Sequence, residues 1–152
     1  MHVDPIVRPR APDSDQSISE SLFFVLGGTE IEGADLTLRY WYTAEAGGGT
    51  SPSQSTGCDG SEGLSFDSMW VSLVPVTPPR PTADTYVEIR FPTDLGILST
   101  GYTFWISFHV TRNDGSPYNQ TNDYSHNDLS QAAPTNKVTA YLKGALIYGT
   151  EP

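Results

Sequence analysis

The sequence predicts an all-β domain built as a two-sheet sandwich. Three observations support this prediction. The chain has 152 residues, which suits one domain. Its 14 Gly and 12 Pro are spread between short apolar stretches, as turn residues are between strands. No segment shows helical periodicity for more than two turns. We therefore expect a single domain over residues 1–152.

Six segments have the short length and the apolar or alternating pattern of strands. The clearest is 102–111. Its even-numbered residues from 104 to 110 would face the core, while Trp105, Ser107 and His109 face outward. The six predicted strands are residues 19–26, 35–43, 67–74, 85–91, 102–111 and 138–148.

Composition predicts two long loops, residues 43–65 and 113–136, because both are rich in Gly, Ser, Asn or Asp. Residues 5–12 contain three prolines and are expected to run extended along a sheet edge. The single cysteine, Cys58, excludes an internal disulfide and is expected to be a buried thiol. The pair 143–144, Lys-Gly, predicts a tight hairpin turn within the last strand segment.

The strongly acidic composition disfavours two classes of partner. The chain carries 18 Asp and Glu against 8 Lys and Arg, for a net charge of −10. Such a surface repels phosphate backbones and anionic lipids, so we expect neither nucleic acid nor a membrane as a partner. No apolar run approaches the roughly 18 residues of a membrane span. The amino end lacks a basic-then-apolar signal segment, which fits an intracellular start or a piece of a longer exported chain.

The sequence contains no recognisable catalytic motif. There is no G-x-S-x-G pattern, and none of the three histidines has the context of a zinc site or a catalytic triad. Hydrolysis of a glycosidic bond needs two carboxyl groups across a cleft, for which Glu88 and Asp123 are the candidates. Any acidic β-protein offers such a pair, so the pair alone does not indicate a hydrolase.

A loop rich in oxygen ligands is the one promising constellation. Residues 119–123 (Asn-Gln-Thr-Asn-Asp) combine amide, hydroxyl and carboxylate oxygens, and Thr43 and Glu45 lie at the end of a predicted strand. Calcium takes six to eight oxygen ligands, including backbone carbonyls that an irregular loop can supply. The alternative interpretation is an Asx-rich turn that caps itself.

Five sequence blocks stand in an order typical of one family. They are residues 36–43 (LTLRYWYT), 83–89 (ADTYVEI), 122–125 (NDYS), 138–144 (VTAYLKG) and 148–152 (YGTEP). They resemble family 3 carbohydrate-binding modules, the cellulose-binding domains of bacterial cellulases and cellulosomal scaffoldins. The similarity covers residues 3–152. It implies a nine-stranded antiparallel β-sandwich with jelly-roll topology, a bound structural calcium and no catalytic activity.

The resemblance also implies the calcium ligands. Carried over by position, they are Thr43, Glu45, Asn119, Asn122 and Asp123. Glu45 stands where an Asp is typical and Asn119 where a Thr is typical. Both residues offer oxygen, so the site is expected to be retained.

The cellulose-binding strip of this family is altered here. Typical members carry an Asp, a His, a Tyr, an Arg and a Trp on one flat sheet, where aromatic faces stack on sugar rings. Asp59 is retained, but Gly60 stands at the His position, His109 at the Arg and Gly115 at the Trp, and the Tyr has no secure counterpart. Weaker binding to crystalline cellulose is therefore expected. The candidate carbohydrate-binding residues also include Gln16, Ser107 and Ser130.

Two tryptophans could replace the lost strip. Alternation places Trp105 outward beside His109 and also places Trp70 outward on its own strand. Together they could form a new aromatic platform for polysaccharide. The alternative is that loops or the proline-rich first segment cover both tryptophans.

The opposite sheet in this family has a shallow groove of polar and aromatic residues. Its residues could hydrogen-bond sugar hydroxyls or a peptide. A self-satisfied ion pair on the sheet is the alternative interpretation. The groove positions hold Arg39, Trp41, Tyr86, Glu88 and Tyr124.

The resemblance leads to one main functional hypothesis. The chain is expected to be a monomeric, extracellular, non-catalytic module that adsorbs to cellulose or a related plant-wall polysaccharide. It would target a covalently linked glycoside hydrolase or scaffoldin to that surface. The alternative is an accessory module that packs on a neighbouring glycoside hydrolase domain and does not itself bind crystalline cellulose.

Overall fold

The computed structural model describes residues 2–3, 6–8, 17–28, 30–44, 54–60, 69–101, 103–126 and 133–152. These ranges form thirteen strands, of which four have only two residues, leaving nine longer ones. The strands are β1 His2–Val3, β2 Ile6–Arg8, β3 Ser17–Gly27, β4 Ile31–Glu32, β5 Leu36–Tyr42, β6 Gln54–Gly60, β7 Trp70–Arg80, β8 Ala83–Arg90, β9 Ile97–Leu98, β10 Thr103–Arg112, β11 Ala133–Pro134, β12 Thr139–Leu142 and β13 Ala145–Tyr148.

Helical structure is minor in the part of the chain that the structure describes. It consists of three 3-10 turns, Gly33–Asp35, Thr93–Leu95 and Gln120–Asn122. No helix there is long and apolar enough to cross a membrane.

Two antiparallel sheets form the layers of the sandwich. The six-stranded sheet has the order β11-β2-β3-β10-β6, with β1 paired to β3. The five-stranded sheet has the order β13-β12-β5-β8-β7, and β4 pairs with β9 separately. This architecture confirms the predicted antiparallel β-sandwich, and the nine longer strands agree with the expected number.

The core lies between the two sheets and is built largely by alternation along their central strands. On β5 the even-numbered residues from 36 to 40 are buried. On β10 the even-numbered residues from 104 to 110 are buried, as the sequence predicted. The rings of Tyr40 and Phe108 meet across the layers with centroids 5.2 Å apart. Cys58 is buried in this core, which confirms its prediction as a buried thiol.

The prediction that residues 43–65 form one continuous loop is wrong, because β6 lies within them. β6 contains two Gly and one Asp, residue types that are depleted in strands, so its composition gives little preference for β structure. It is nevertheless paired over its whole length with β10, from Gln54 opposite Arg112 to Gly60 opposite Ile106. Tertiary pairing therefore outweighs composition here.

The strand predicted over residues 67–74 differs in its boundaries from the strand in the structure. In the described residues β7 begins at Trp70 and continues to Arg80, past the predicted end at residue 74. It contains Pro75, Pro78 and Pro79. Proline lacks an N–H donor and disrupts a strand that is paired on both sides, but β7 is an edge strand with a partner on one side only.

The turn prediction is confirmed, and the prediction for the first segment holds for its extended conformation. Lys143 and Gly144 adopt positive φ values of 50° and 83° and join β12 to β13 in the expected tight hairpin. Residues 6–8 of the proline-rich first segment are extended as β2, which is separated from the sheet edge only by the short β11. The rest of residues 5–12 lies outside the described ranges.

We expect the central β5 to tolerate truncation much less than the edge hairpin. Leu38 is fully buried, whereas Leu146 on β13 is 47% exposed. Leu38→Ala should lower the free energy of unfolding by about 2–5 kcal/mol, because it removes apolar contacts and leaves a cavity. Leu146→Ala, the same chemical change, should cost about 1 kcal/mol or less. Urea denaturation of both variants measures this, and equal losses would contradict the core assignment.

Candidate calcium site and binding surfaces

The end of β5 meets the 119–123 loop as the sequence predicted. Thr43 directly follows β5, and its backbone N–H donates to Asp123 Oδ1 at 2.7 Å. The Thr43 hydroxyl oxygen lies 2.7 Å from Asp123 Oδ1 and 2.9 Å from Asn122 Oδ1. Three of the five expected calcium ligands, 79 and 80 residues apart in sequence, are therefore brought into contact.

The chemistry of this donor set fits a calcium ion. Thr43 has one hydroxyl hydrogen, so it can donate to only one of the two acceptor oxygens at a time. Asp123 is only 6% exposed, and hydroxyl, amide and carboxylate oxygens are the ligands that calcium prefers. Among the described residues no group of three or more His, Cys, Asp or Glu could hold a metal ion. A cation here would therefore depend on neutral oxygens as well as on Asp123.

One of the other two expected ligands, Asn119, makes its hydrogen bonds to Thr121 within the loop itself. Asn119 caps the 3-10 turn Gln120–Asn122, and its Oδ1 accepts bonds from the N–H and the hydroxyl of Thr121 at 3.2 and 2.6 Å. For this residue the structure shows the self-capping Asx turn that was the alternative interpretation. Glu45 lies outside the described residues.

A tyrosine pair forms the buried wall beside the loop. The hydroxyls of Tyr42 and Tyr118 both donate to Gln54 Oε1, at 2.9 and 2.7 Å. Burial raises the pKa of Tyr42 far above its usual value, and the neighbouring Tyr118, Asp84 and Asp123 raise it further. Sequence analysis missed Gln54 because it lies in the segment predicted to be a loop.

The outer face of the six-stranded sheet carries three of the predicted carbohydrate-binding residues on one strand. Trp105, Ser107 and His109 alternate along β10 with buried residues and therefore share this face. Trp105 is 37% exposed, so the alternative that it is fully covered does not hold. The His109 ring lies across Gly57 of β6, where an added Cβ would come within 2.5 Å of its Cε1 atom. Glycine at position 57 is thus what allows the imidazole to lie against the neighbouring strand.

The altered strip positions are placed as follows. Asp59 lies opposite Ser107 in the strand register, and its side chain lies outside the described part. Gly60 ends β6, and Gly115 sits in the turn after β10 with φ of 73° and open space around it. Two other predicted residues, Gln16 and Ser130, lie outside the described ranges.

The hypothesis that Trp70 and Trp105 form one platform is wrong. Trp70 begins β7 in the five-stranded sheet, whereas Trp105 lies on β10 in the six-stranded sheet. Trp70 is directly opposite Arg90 in the register and therefore shares the face of the groove residues. It is 71% exposed, so no described loop covers it. Alternation correctly predicted that Trp70 faces outward but could not show on which sheet.

The groove residues of the five-stranded sheet form a connected network. Glu88, whose side chain is only 5% exposed, pairs with Arg39 at 3.0 Å and with Arg90 at 2.6 Å. The Arg39 guanidinium lies 4.5 Å from the ring centroid of Tyr86 and 4.3 Å from that of Tyr141. Burial raises the pKa of both tyrosines. The self-satisfied ion pair considered from the sequence therefore describes the centre of the groove.

The two remaining predicted groove residues, Trp41 and Tyr124, lie at different places in the groove. The Trp41 ring packs 4.8 Å from Tyr86, and its Nε1 donates to the Thr139 hydroxyl at 2.9 Å. Tyr124 lies at the rim, where its hydroxyl donates to the Thr150 carbonyl at 3.0 Å. Tyr141 is the groove residue that sequence analysis missed, although its block VTAYLKG was recognised.

The two carboxylates considered for glycoside hydrolysis serve other roles. Glu88 is held by two arginines on an outer sheet face, and Asp123 is buried against Thr43 at the loop. The described geometry places them in separate networks and gives the hydrolase hypothesis no support.

Sequence comparison identifies the family. A family model described as a cellulose binding domain matches residues 25–149. The chain belongs to the family 3 carbohydrate-binding modules. Modules of this family are non-catalytic binding domains, so the chain is a carbohydrate-binding module.

The chain is similar to parts of larger proteins of different kinds. It is 36% identical over 135 residues to the cellulosomal-scaffolding protein A of Acetivibrio thermocellus, covering 83% of this chain and 7% of that protein. It is 33% identical over 127 residues to the anti-sigma-I factor RsgI4 of the same species, covering 83% of this chain and 23% of the relative. A solved biomass-sensing module of RsgI-like proteins of Clostridium thermocellum has a TM-score of 0.88 and 28% identity over 99% of this chain and 98% of that one. The chain thus spans less than a quarter of either curated relative.

We expect Tyr42 to make the fold sensitive to high pH. Its folded-state pKa is raised above the unfolded value of about 10, so above that pH the unfolded chain releases a proton that the folded chain keeps. Stability that is present below about pH 10 is therefore lost as the pH rises, by up to about 1.4 kcal/mol per pH unit from this group. Tyr42→Phe should make the decline of the unfolding free energy shallower.

Denaturant unfolding from about pH 9 to about pH 11 measures that slope. Tyr148→Phe is the matched control, since the hydroxyl of Tyr148 donates to the Thr135 carbonyl at 2.8 Å, away from the Tyr42 pair. An identical slope in the protein with Tyr42 and in the Tyr42→Phe variant would contradict the assignment.

Proposed function

We propose that this module adsorbs to cellulose or a related plant-wall polysaccharide through the outer face of its six-stranded sheet. The observation that carries the proposal is the exposed row of Trp105, Ser107 and His109 on β10. β10 is paired on both sides, with β3 and β6, so the row is held on a rigid surface.

The chemistry of the row suits sugar. The C–H faces of pyranose rings stack on flat aromatic rings and lose bound water on contact. Trp105 offers the larger ring, His109 offers a ring laid across Gly57, and the Ser107 hydroxyl between them can donate to or accept from a sugar hydroxyl. Together they form a narrow aromatic and polar strip along one strand.

Binding through this row should be weaker than through the family's full strip. Gly60 and Gly115 stand at strip positions and supply no side chain for stacking or hydrogen bonding. Truncation of a contact residue at an interface costs roughly 1–2 kcal/mol. The loss of two such residues would lower the affinity roughly 30-fold to 1,000-fold.

The parent protein is proposed to be extracellular or to expose this module to the outside. The matched relatives include a cellulosomal scaffolding protein and an exoglucanase, in which the module is a small part of the chain. The similarity to a biomass-sensing module favours a sensor as another kind of parent. In each case the module would be monomeric and without catalysis of its own. It would attach a covalently linked partner to the polysaccharide.

Gly60 and Gly115 also support a second candidate function. A module that has lost strip residues could instead pack on a neighbouring glycoside hydrolase domain as an accessory module. The two functions differ in whether the isolated module is depleted from solution by cellulose.

We further propose a structural calcium ion at the end of β5. Thr43, Asn122 and Asp123 would hold it, and Asn119 and Glu45 are the remaining candidates. The ion would neutralise the Asp123 carboxylate and fix the 119–123 loop to the strand. Its role would be to stabilise the fold rather than to contact sugar.

We expect Trp105→Ala to lower adsorption to microcrystalline and amorphous cellulose at least about fivefold, because it removes the larger stacking ring. A pull-down assay with calcium present measures the bound fraction. Leu146→Ala, which truncates another exposed side chain on the opposite sheet, should leave adsorption unchanged. No depletion of the unmodified module on either cellulose form would refute this function and favour the accessory module.

We expect removal of calcium to lower thermal stability. At a calcium concentration about 100 times the Kd, binding adds about 2.7 kcal/mol. For a domain of this size that corresponds to a decrease in Tm of roughly 5–10 °C on chelation. Asp123→Asn should abolish the difference between calcium and chelator, whereas Asp94→Asn, the same change at an exposed turn, should preserve it. Equal Tm values of the unmodified module with and without chelator would exclude the ion.

A further inference from the structure

A cationic recess interrupts the acidic surface on the five-stranded sheet. It has a volume of about 280 Å³. Three of the chain's eight Lys and Arg side chains line it, against two carboxylates, in a chain whose net charge is −10. The cations are Arg39, Arg90 and Lys143, and the carboxylates are Glu88 and Asp35.

The two carboxylates orient the cations without covering them. Glu88 is buried and pairs with both arginines, and Asp35 Oδ2 lies 3.3 Å from the Lys143 ammonium. The side chains of Arg90 and Lys143 are nevertheless 61% and 73% exposed. Two guanidinium groups carry more N–H donors than one carboxylate can accept. The recess can therefore accept a further anionic oxygen from outside.

An exposed aromatic ring lies beside the recess on the same face. Trp70 is the directly opposite partner of Arg90 between β7 and β8, and Arg90 is opposite Thr37 of the recess between β8 and β5. One strand spacing is about 4.8 Å, so the Trp70 backbone lies roughly 10 Å from that of Thr37. At this separation one sugar ring of a polysaccharide can lie over Trp70 while a charged group of the same polysaccharide reaches the recess.

We infer that Trp70 and this recess form a second binding site, specific for uronic-acid polysaccharides. The Trp70 ring would stack on a sugar face, and Arg90 and Lys143 would bind the uronate carboxylate, Arg90 through parallel N–H donors. Arg39, clamped between Tyr86 and Tyr141, supplies fixed positive charge at the floor. The site goes beyond the proposed cellulose face, because it lies on the opposite sheet and shares no residue with it.

The test is isothermal titration calorimetry of the whole module with a short galacturonic-acid oligosaccharide. Its methyl ester is the neutral probe, and poly-glutamate is an acidic polymer without sugar rings. The structure predicts binding of the free acid, at least about tenfold weaker binding of the ester, and at least about fivefold weaker binding of poly-glutamate. Equal affinity for acid and ester, no binding of the acid, or equal affinity for poly-glutamate would each overturn the inference.

Variants then locate the site. Arg90→Gln should weaken binding of the free acid about tenfold, and Trp70→Ala at least about fivefold. Arg80→Gln is the matched control, because it removes the same charge at the far end of β7, opposite Ala83 and seven residues of β8 away from Arg90, roughly 23 Å. It should change the affinity less than about twofold. An equal effect of Arg80→Gln and Arg90→Gln would show general charge attraction and overturn the site.

A third variant keeps the test independent of folding. Lys143 lies in the exposed β12–β13 turn, so Lys143→Gln should weaken binding several-fold while circular dichroism stays unchanged. All variants of this site should retain the cellulose adsorption of the unmodified module. If the unmodified module binds the uronate but does not adsorb to cellulose, only the proposed cellulose function is refuted. If it adsorbs to cellulose but does not bind the uronate, only this inference is refuted.

Discussion

The pairing register of β5 with β8 determines both faces of the five-stranded sheet. Leu38 opposite Ile89 fills the core, and the next pair, Arg39 opposite Glu88, forms the ion pair on the outer face. Because side chains alternate along a strand, a slip of either strand by one residue would turn its charged side chain, Arg39 or Glu88, into the core and its apolar neighbour toward water. The cost of burying those charges is several kcal/mol, which makes this register strongly specified.

The register of β10 has the same effect on the other sheet, and here the sequence was sufficient. Strict alternation from residue 104 to 110 predicted both the buried set and the outward Trp105 and His109. Composition failed for β6, since a strand of Gly, Ser and Thr has no alternation to detect and is defined only by its partner. The prediction of a platform shared by Trp70 and Trp105 failed for a related reason. Alternation predicts the direction of a side chain but not the sheet to which its strand belongs.

The candidate calcium site was predictable in chemistry but only partly in geometry. Oxygen-rich residues marked the 119–123 loop and the strand end at Thr43, and the family resemblance implied that they share one ion, although Thr43 lies 80 residues from Asp123. Local hydrogen bonding then decided what each loop residue does: Asn119 caps its own turn, whereas Asn122 and Asp123 turn toward the strand. Such competition between self-capping and distant contacts depends on the loop path, which residue types do not encode.

Glu88 links stability and recognition on the groove face. Its buried carboxylate holds two arginines in place, so the fold itself determines where the guanidinium groups point. Removing a buried partner of this kind would leave positive charge without compensation and destabilise the sheet. A loss of binding after a change at Glu88 would therefore not separate recognition from folding. The exposed Arg90 and Trp70 do separate them, because each can be replaced without opening the core.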